Sequence, residues 1–137
     1  MKITTKGRYA IHILYDLAVN GTEHPVSVKE MATRQEISVK YTEQIISILN
    51  KAGYVSSSRG FQGGYRLTKP LDEYVIGDIL RLTEGKLSPV NCQALEGLCE
   101  NAAQCRTRPL WEKLDAMVEE YLDGVTLADL LEGPGGD

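Results

Sequence analysis

Residues 56–68 read SSSRGFQGGYRLT: two short stretches that alternate polar and apolar residues, joined by a glycine-rich run with Arg59 at its lip. Such a run is either a phosphate-cradling loop or the tip of a β-hairpin. A phosphate loop needs a helix directly behind it, so that the helix N-terminus faces the anion, and a pattern such as G-x-x-x-x-G-K-[ST]. Here Gly63-Gly64 leads into Tyr65-Arg66-Leu67-Thr68, which alternates as a strand does, and helical spacing resumes only near Ile76. The stretch is therefore expected to be a hairpin with strands over 54–57 and 65–68. Its glycines permit positive φ and close approach of backbone amides to a phosphate.

What precedes the hairpin narrows the fold further. Tyr9, Ile13, Leu14, Leu17 and Ala18 keep helical spacing over 5–20, and Asn20-Gly21 ends that helix. Ser27-Val28-Lys29-Glu30 has the form of a capping box opening a short helix to about residue 34. Ser38 can cap a third helix, with Ile45, Ile48 and Leu49 inside and Gly53 at its end. Helix, short helix, helix and hairpin within about 65 residues is the order of a winged helix-turn-helix. An ordinary surface hairpin behind a solvated amphipathic helix is the plainer alternative.

Charge divides at the same place. Residues 1–70 hold ten Lys/Arg against five Asp/Glu, a net of +5; residues 71–137 hold five against fourteen, a net of −9. A basic first half suits a polyanionic partner. On the outward side of the third helix, Ser38, Lys40, Tyr41, Gln44 and Ser47 offer phosphate and base-edge contacts. Glu43 repels phosphate but can accept from a cytosine amino group, so it selects sequence at a cost in affinity. Arg59 at the wing is suited to the negative minor groove, with Gly60, Gly63 and Gly64 letting the backbone approach. No run approaches the roughly 20 apolar residues of a membrane helix, and Met1 to Lys6 lacks an export-type apolar core. A cytoplasmic protein is expected.

Beyond Pro70, a helix is expected over 76–84, ending at Gly85. Residues 87–104 have no periodicity. Pro109 suits the first turn of a helix over 108–122, where Leu110, Trp111, Leu114, Met117, Val118, Tyr121 and Leu122 form one broad apolar face. In a domain this small that face needs a cover, and a second copy of the chain supplies one. Thr126 can cap a last short helix over 127–131. The fold class is thus mainly α with a small hairpin: a winged helix-turn-helix over 1–70, then a cysteine loop (86–105) and dimerisation helix (108–122) within 71–137.

All three cysteines, Cys92, Cys99 and Cys105, fall in or beside the aperiodic stretch, in the pattern C-x6-C-x5-C. An odd number without an export signal argues against a disulfide framework. Three soft thiolates on one loop can converge on iron or zinc. Free thiols or a thiol redox switch remain open alternatives.

These residues resemble the winged-helix transcription regulators of the IscR/NsrR/CymR family. "KITTKGRYAIHILYDLA" is similar to that family's first helix. "ISVKYTEQIISILNKAGYVSSSRGFQGGYRL" is similar to its recognition helix and wing. "IGDILRLTEG" and "LWEKLDAMVEEYLDGVTLADL" are similar to its later helices. The resemblance covers nearly the whole chain and implies a homodimeric bacterial regulator that binds a pseudo-palindrome in double-stranded DNA. By motif position, Ser38, Tyr41, Glu43, Gln44 and Arg59 match DNA-contacting residues, and Cys92, Cys99 and Cys105 match the cysteines of an iron–sulfur cluster, with 2Fe–2S preferred.

The fourth ligand departs from the family pattern. IscR-type members carry a histidine three residues after the last cysteine, where this chain has Arg108. NsrR-type members use an acid on the partner's first helix, where this chain has Arg8. His12, Glu100, Gln104, Thr107 or an exogenous ligand remain candidates. No recognisable nucleophile–base pattern is present, so enzymatic activity is not expected. The competing reading is a zinc- or thiol-redox-dependent interaction protein that does not read DNA sequence.

Overall fold

The computed structural model describes residues 3–59, 63–85, 87 and 105–133. Helices α1 (Thr5–Asn20), α2 (Val28–Gln35) and α3 (Val39–Lys51) precede strands β1 (Val55–Ser58) and β2 (Gly64–Leu67). A 3-10 turn (Leu71–Glu73) leads to α4 (Ile76–Glu84), and α5 (Arg108–Asp123) and α6 (Leu127–Glu132) follow. The protein is mainly helical with one antiparallel hairpin, as the patterning required.

Hydroxyl caps set most helix starts. Thr4, Ser27, Ser38 and Thr126 each accept from a first-turn amide of α1, α2, α3 and α6. The box expected at Ser27 forms by half. Its Oγ accepts from the Glu30 amide at 3.1 Å, but the Glu30 carboxylate accepts the Ser27 hydroxyl at 3.3 Å instead of the backbone N–H. Arg34 at 3.7 Å also draws that carboxylate along the helix. The reciprocal box lies at Thr126–Asp129.

The turn from α2 to α3 is Glu36-Ile37-Ser38, with Glu36 left-handed at φ 56°. Its amide and that of Ile37 close the last turn of α2 on Thr33 O at 3.3 Å and Ala32 O at 3.1 Å. In α3 the buried stripe is Thr42, Ile45, Ile46 and Leu49. Ile48, expected inside, is only half-buried, because the i, i+3, i+4, i+7 row starts at Thr42, three residues before Ile45.

The hairpin register pairs Val55 with Leu67 and Ser58 with Gly64. The strands run one residue off the expected 54–57 and 65–68. The buried Tyr74 hydroxyl donates to the Tyr54 carbonyl at 2.6 Å, and the hydroxyl oxygen accepts from the Thr68 and Lys69 amides at 2.9 and 3.2 Å. The wing is also fastened ahead of α2. Tyr65 donates to Val26 O at 2.8 Å and accepts from Val26 N at 3.0 Å. One hydrophobic core runs through α1 (Ala10, Ile13, Leu14, Leu17), α3, Val55, Tyr74, α4 (Ile79, Leu80), Leu87 and Leu127. Beneath it Asp16, 3% exposed, is gripped by Arg34 at 2.8–3.1 Å, Asn20 at 3.0 Å and Gln35 at 3.3 Å. That cluster ties α2 to α1.

Candidate nucleic-acid interface and cysteine segment

With one side of α3 sealed in the core, its other side is solvent-facing: Lys40, Glu43, Gln44 and Ser47 are exposed. Ser38 is exposed at the start of the same helix. Its oxygen accepts from the Tyr41 amide at 3.0 Å, which leaves the hydroxyl hydrogen free to donate. Tyr41 is half-buried, its ring edge-on to Tyr9 at 6.2 Å, so it joins α1 to the outward face. Arg59 is exposed directly after β1.

Gly63 and Gly64 are half-buried, and Gly60 lies outside the described residues. Gly64 has a packing reason of its own. A Cβ there would run into the Val26 carbonyl and sit 2.8 Å from Ser27 N, so the absent side chain is what lets β2 lie against the segment ahead of α2.

Cys92 and Cys99, with Glu100 and Gln104, also lie outside the described residues. Leu87, at the start of the aperiodic stretch, is 1% exposed and belongs to the core, an anchor that periodicity alone does not reveal. Cys105 is half-buried just before α5, with its Sγ 3.4 Å from Thr107 Oγ1. The Thr107 hydroxyl, then the Thr107 amide, then Arg108, hold the Cys105 thiol below its ordinary range. A sulfur that is easily made thiolate fits soft-metal ligation. Among the described residues, no three His, Cys, Asp or Glu gather as a metal group. His12 is exposed with its ring 5.7 Å from Tyr9, and Arg108 pairs with Glu112 at 2.5 Å.

The apolar face of α5 divides in two. Trp111, Val118 and Leu122 are half-buried, whereas Leu110, Leu114, Met117 and Tyr121 are 58%, 37%, 54% and 71% exposed. The two stripes lie side by side on one helix, so spacing alone merges them. Sequence reasoning also passed over Tyr74, the hub of the wing, because a single tyrosine between Glu73 and Val75 carries no pattern. The Thr107–Trp111 pair was equally silent, although its i, i+4 spacing directly after a cysteine was a usable signal.

Comparison with known proteins gives one answer. Residues 3–133 match the family model Rrf2, described as an iron-dependent transcriptional regulator. The chain is 41% identical to protein rrf2 of Nitratidesulfovibrio vulgaris over 131 residues, 96% of this chain and 87% of that one. Among solved structures, CymR, the global cysteine regulator of B. subtilis, is 43% identical with a TM-score of 0.80, covering 95% of each chain. T. potens IscR is 41% identical with a TM-score of 0.75, covering 96% of this chain and 87% of that one.

Proposed function

The chain belongs to the Rrf2 family of transcriptional regulators, and on that footing we propose that it is a homodimeric, sequence-specific DNA-binding regulator whose cysteines hold an iron–sulfur cluster. It is not an enzyme, and no described helix is long and apolar enough to cross a membrane. The observation that carries the DNA reading is the α3 face. Lys40, Glu43, Gln44 and Ser47 stand in solvent on a helix whose opposite side is sealed, with Arg59 exposed on the hairpin beyond it. Ser38, Lys40 and Tyr41 hold phosphates; Gln44 and Glu43 read base edges in the major groove; Arg59 and the glycines of the wing, Gly60, Gly63 and Gly64, meet the adjacent minor groove.

The exposed stripe of α5 supports the dimer, since covering a leucine or methionine contributes about 2 kcal/mol. Two copies then meet half-sites about 10 base pairs apart, or multiples of that. Affinity falls linearly in log–log terms as salt rises. Glu43→Ala relaxes the choice of sequence, because an acid facing phosphates acts by rejecting wrong sites.

Cys92, Cys99 and Cys105 would hold the cluster, and 2Fe–2S is the preferred type by similarity to proteins named IscR. When bound, it makes DNA affinity responsive to iron or to redox state. The fourth ligand comes from another position than the family's histidine or acid, since arginines, Arg108 and Arg8, stand at both.

The test is iron and sulfide analysis with an absorption spectrum on protein purified without oxygen, followed by DNA titration of the loaded and stripped forms. Iron and sulfide that disappear with any one of Cys92→Ala, Cys99→Ala or Cys105→Ala, and an affinity change at one class of sites, are expected. Zinc in place of iron, or equal affinities throughout, removes the cluster sensor. A second reading, thiol-based sensing, is favoured by the lowered Cys105 thiol and the similarity to a cysteine regulator. It predicts DNA binding that responds to thiol oxidants with no metal present.

A further inference from the structure

Thr107 stands at the N-cap position of α5, yet its side chain makes no cap. Its backbone is already helical, at φ −92° and ψ −10°. Thr4, Ser27, Ser38 and Thr126, at the starts of α1, α2, α3 and α6, all cap. A threonine cap stabilises a helix start, so something else holds this hydroxyl. Two groups do: Trp111 Nε1 at 3.1 Å and Cys105 Sγ at 3.4 Å. An indole N–H can only donate, so the Thr107 oxygen is the acceptor of that bond. The hydroxyl hydrogen is left over, and the sulfur is within its reach.

We propose that Thr107 is a positioning residue that donates its hydroxyl hydrogen to the Cys105 sulfur, with Trp111 holding the hydroxyl in that orientation. This rests on the reading of Cys105 as a cluster ligand. A hydrogen bond to a ligating sulfur draws electron density from it and stabilises the reduced cluster. A donor that is itself accepting a hydrogen bond is the more polarised for it. The same chain of bonds joins the chemistry of Cys105 to Trp111, one full turn into α5 and on its half-buried stripe. What happens at the sulfur is thereby felt in the helix.

Trp111 is the only tryptophan, which makes its fluorescence a direct reporter. In a Cys92→Ser/Cys99→Ser chain free of metal, alkylating Cys105 with iodoacetamide shifts the Trp111 emission. Thr107→Val, which keeps shape but removes the hydroxyl, abolishes most of that shift, and Thr107→Ser restores it. A valine variant that responds as fully as its parent overturns the proposal. Should the double serine variant fail to fold, full alkylation of the chain with its three cysteines is read against the same two Thr107 variants.

In protein loaded with iron and sulfide, the cluster midpoint potential becomes more negative in Thr107→Val and returns in Thr107→Ser. An unchanged potential rules out donation to a ligating sulfur. If the chain takes up no iron and sulfide while the fluorescence response still depends on the hydroxyl, the cluster reading falls and the Cys105–Thr107–Trp111 relay stands.

Discussion

Helices α1 and α5 have the same length, 16 residues, and opposite relations to solvent. Seven residues of α1 are buried, including a charged one, Asp16, whereas α5 buries none. Both carry apolar residues at three- and four-residue spacing. The difference lies in what each finds to lie against. Helix α1 has α2, α3, α4 and the hairpin around it, so its stripe is closed within one chain. Helix α5 covers one of two stripes on its own chain and leaves Leu110, Leu114, Met117 and Tyr121 outside. Spacing states how much surface must be covered; only the fold states whether the same chain covers it.

The sharpest way to break this comparison is to charge the open stripe. Leu114→Glu with Met117→Glu is expected to give monomers at micromolar concentration by sedimentation, with DNA affinity falling at least tenfold. A soluble, fully dimeric double variant would place the partner's surface elsewhere. The closed region should fail differently. Arg34→Ala leaves the Asp16 carboxylate with only amide partners, and is expected to cost about 2–3 kcal/mol in urea unfolding. That is below the range for a fully enclosed pair, because the Arg34 side chain is 38% exposed. The mass by sedimentation should not change.

Tyr74→Phe is expected to cost about 1–3 kcal/mol by the same measurement, since it removes the Lys69 amide's acceptor and leaves the Tyr54 carbonyl and the Thr68 amide only their long 3.4 Å bond to each other. Hydrogen exchange should rise first in the hairpin. The smallest effect concerns acid. The Asp123 carboxyl lies below its ordinary range because the Arg81 guanidinium hydrogen-bonds to it at 2.8 and 2.9 Å. The unfolded chain therefore binds that proton more readily. The pair's contribution is complete above about pH 4 and is lost as the pH falls through the lowered folded value. Arg81→Gln should remove this part of the acid dependence and leave the rest.

Helix ends were legible where the backbone leaves little choice. Expected bounds of 5–20 and 76–84 match α1 and α4 to the residue, because Gly21 follows one and Gly85, at φ 78°, ends the other. The strands shifted by one because Tyr74, seven residues beyond the end of β2, claims the Tyr54 carbonyl, and no local pattern encodes so distant a partner. The Ile46-for-Ile48 exchange has the same character: a polar but enclosed Thr42 sets the row, and hydrophobicity alone does not find it. For the cysteine segment, the three residues were plain in the sequence, whereas what surrounds Cys105 depends on where a hydroxyl turns.

The fastening of α5 has a mechanical consequence. Its C-terminal end is pinned: Asp123 to Arg81, the Val125 carbonyl to Ile76 N at 2.9 Å, and Leu127 N to the Tyr74 carbonyl at 2.9 Å. Sixteen residues at 1.5 Å rise make a rod of about 24 Å, with its fulcrum there and Thr107 at its tip. A pivot of about 5° displaces the tip by about 2 Å and the pinned end by almost nothing. The cysteine thus sits where the moment arm is longest, and a small push at its sulfur has the greatest mechanical advantage over the whole rod.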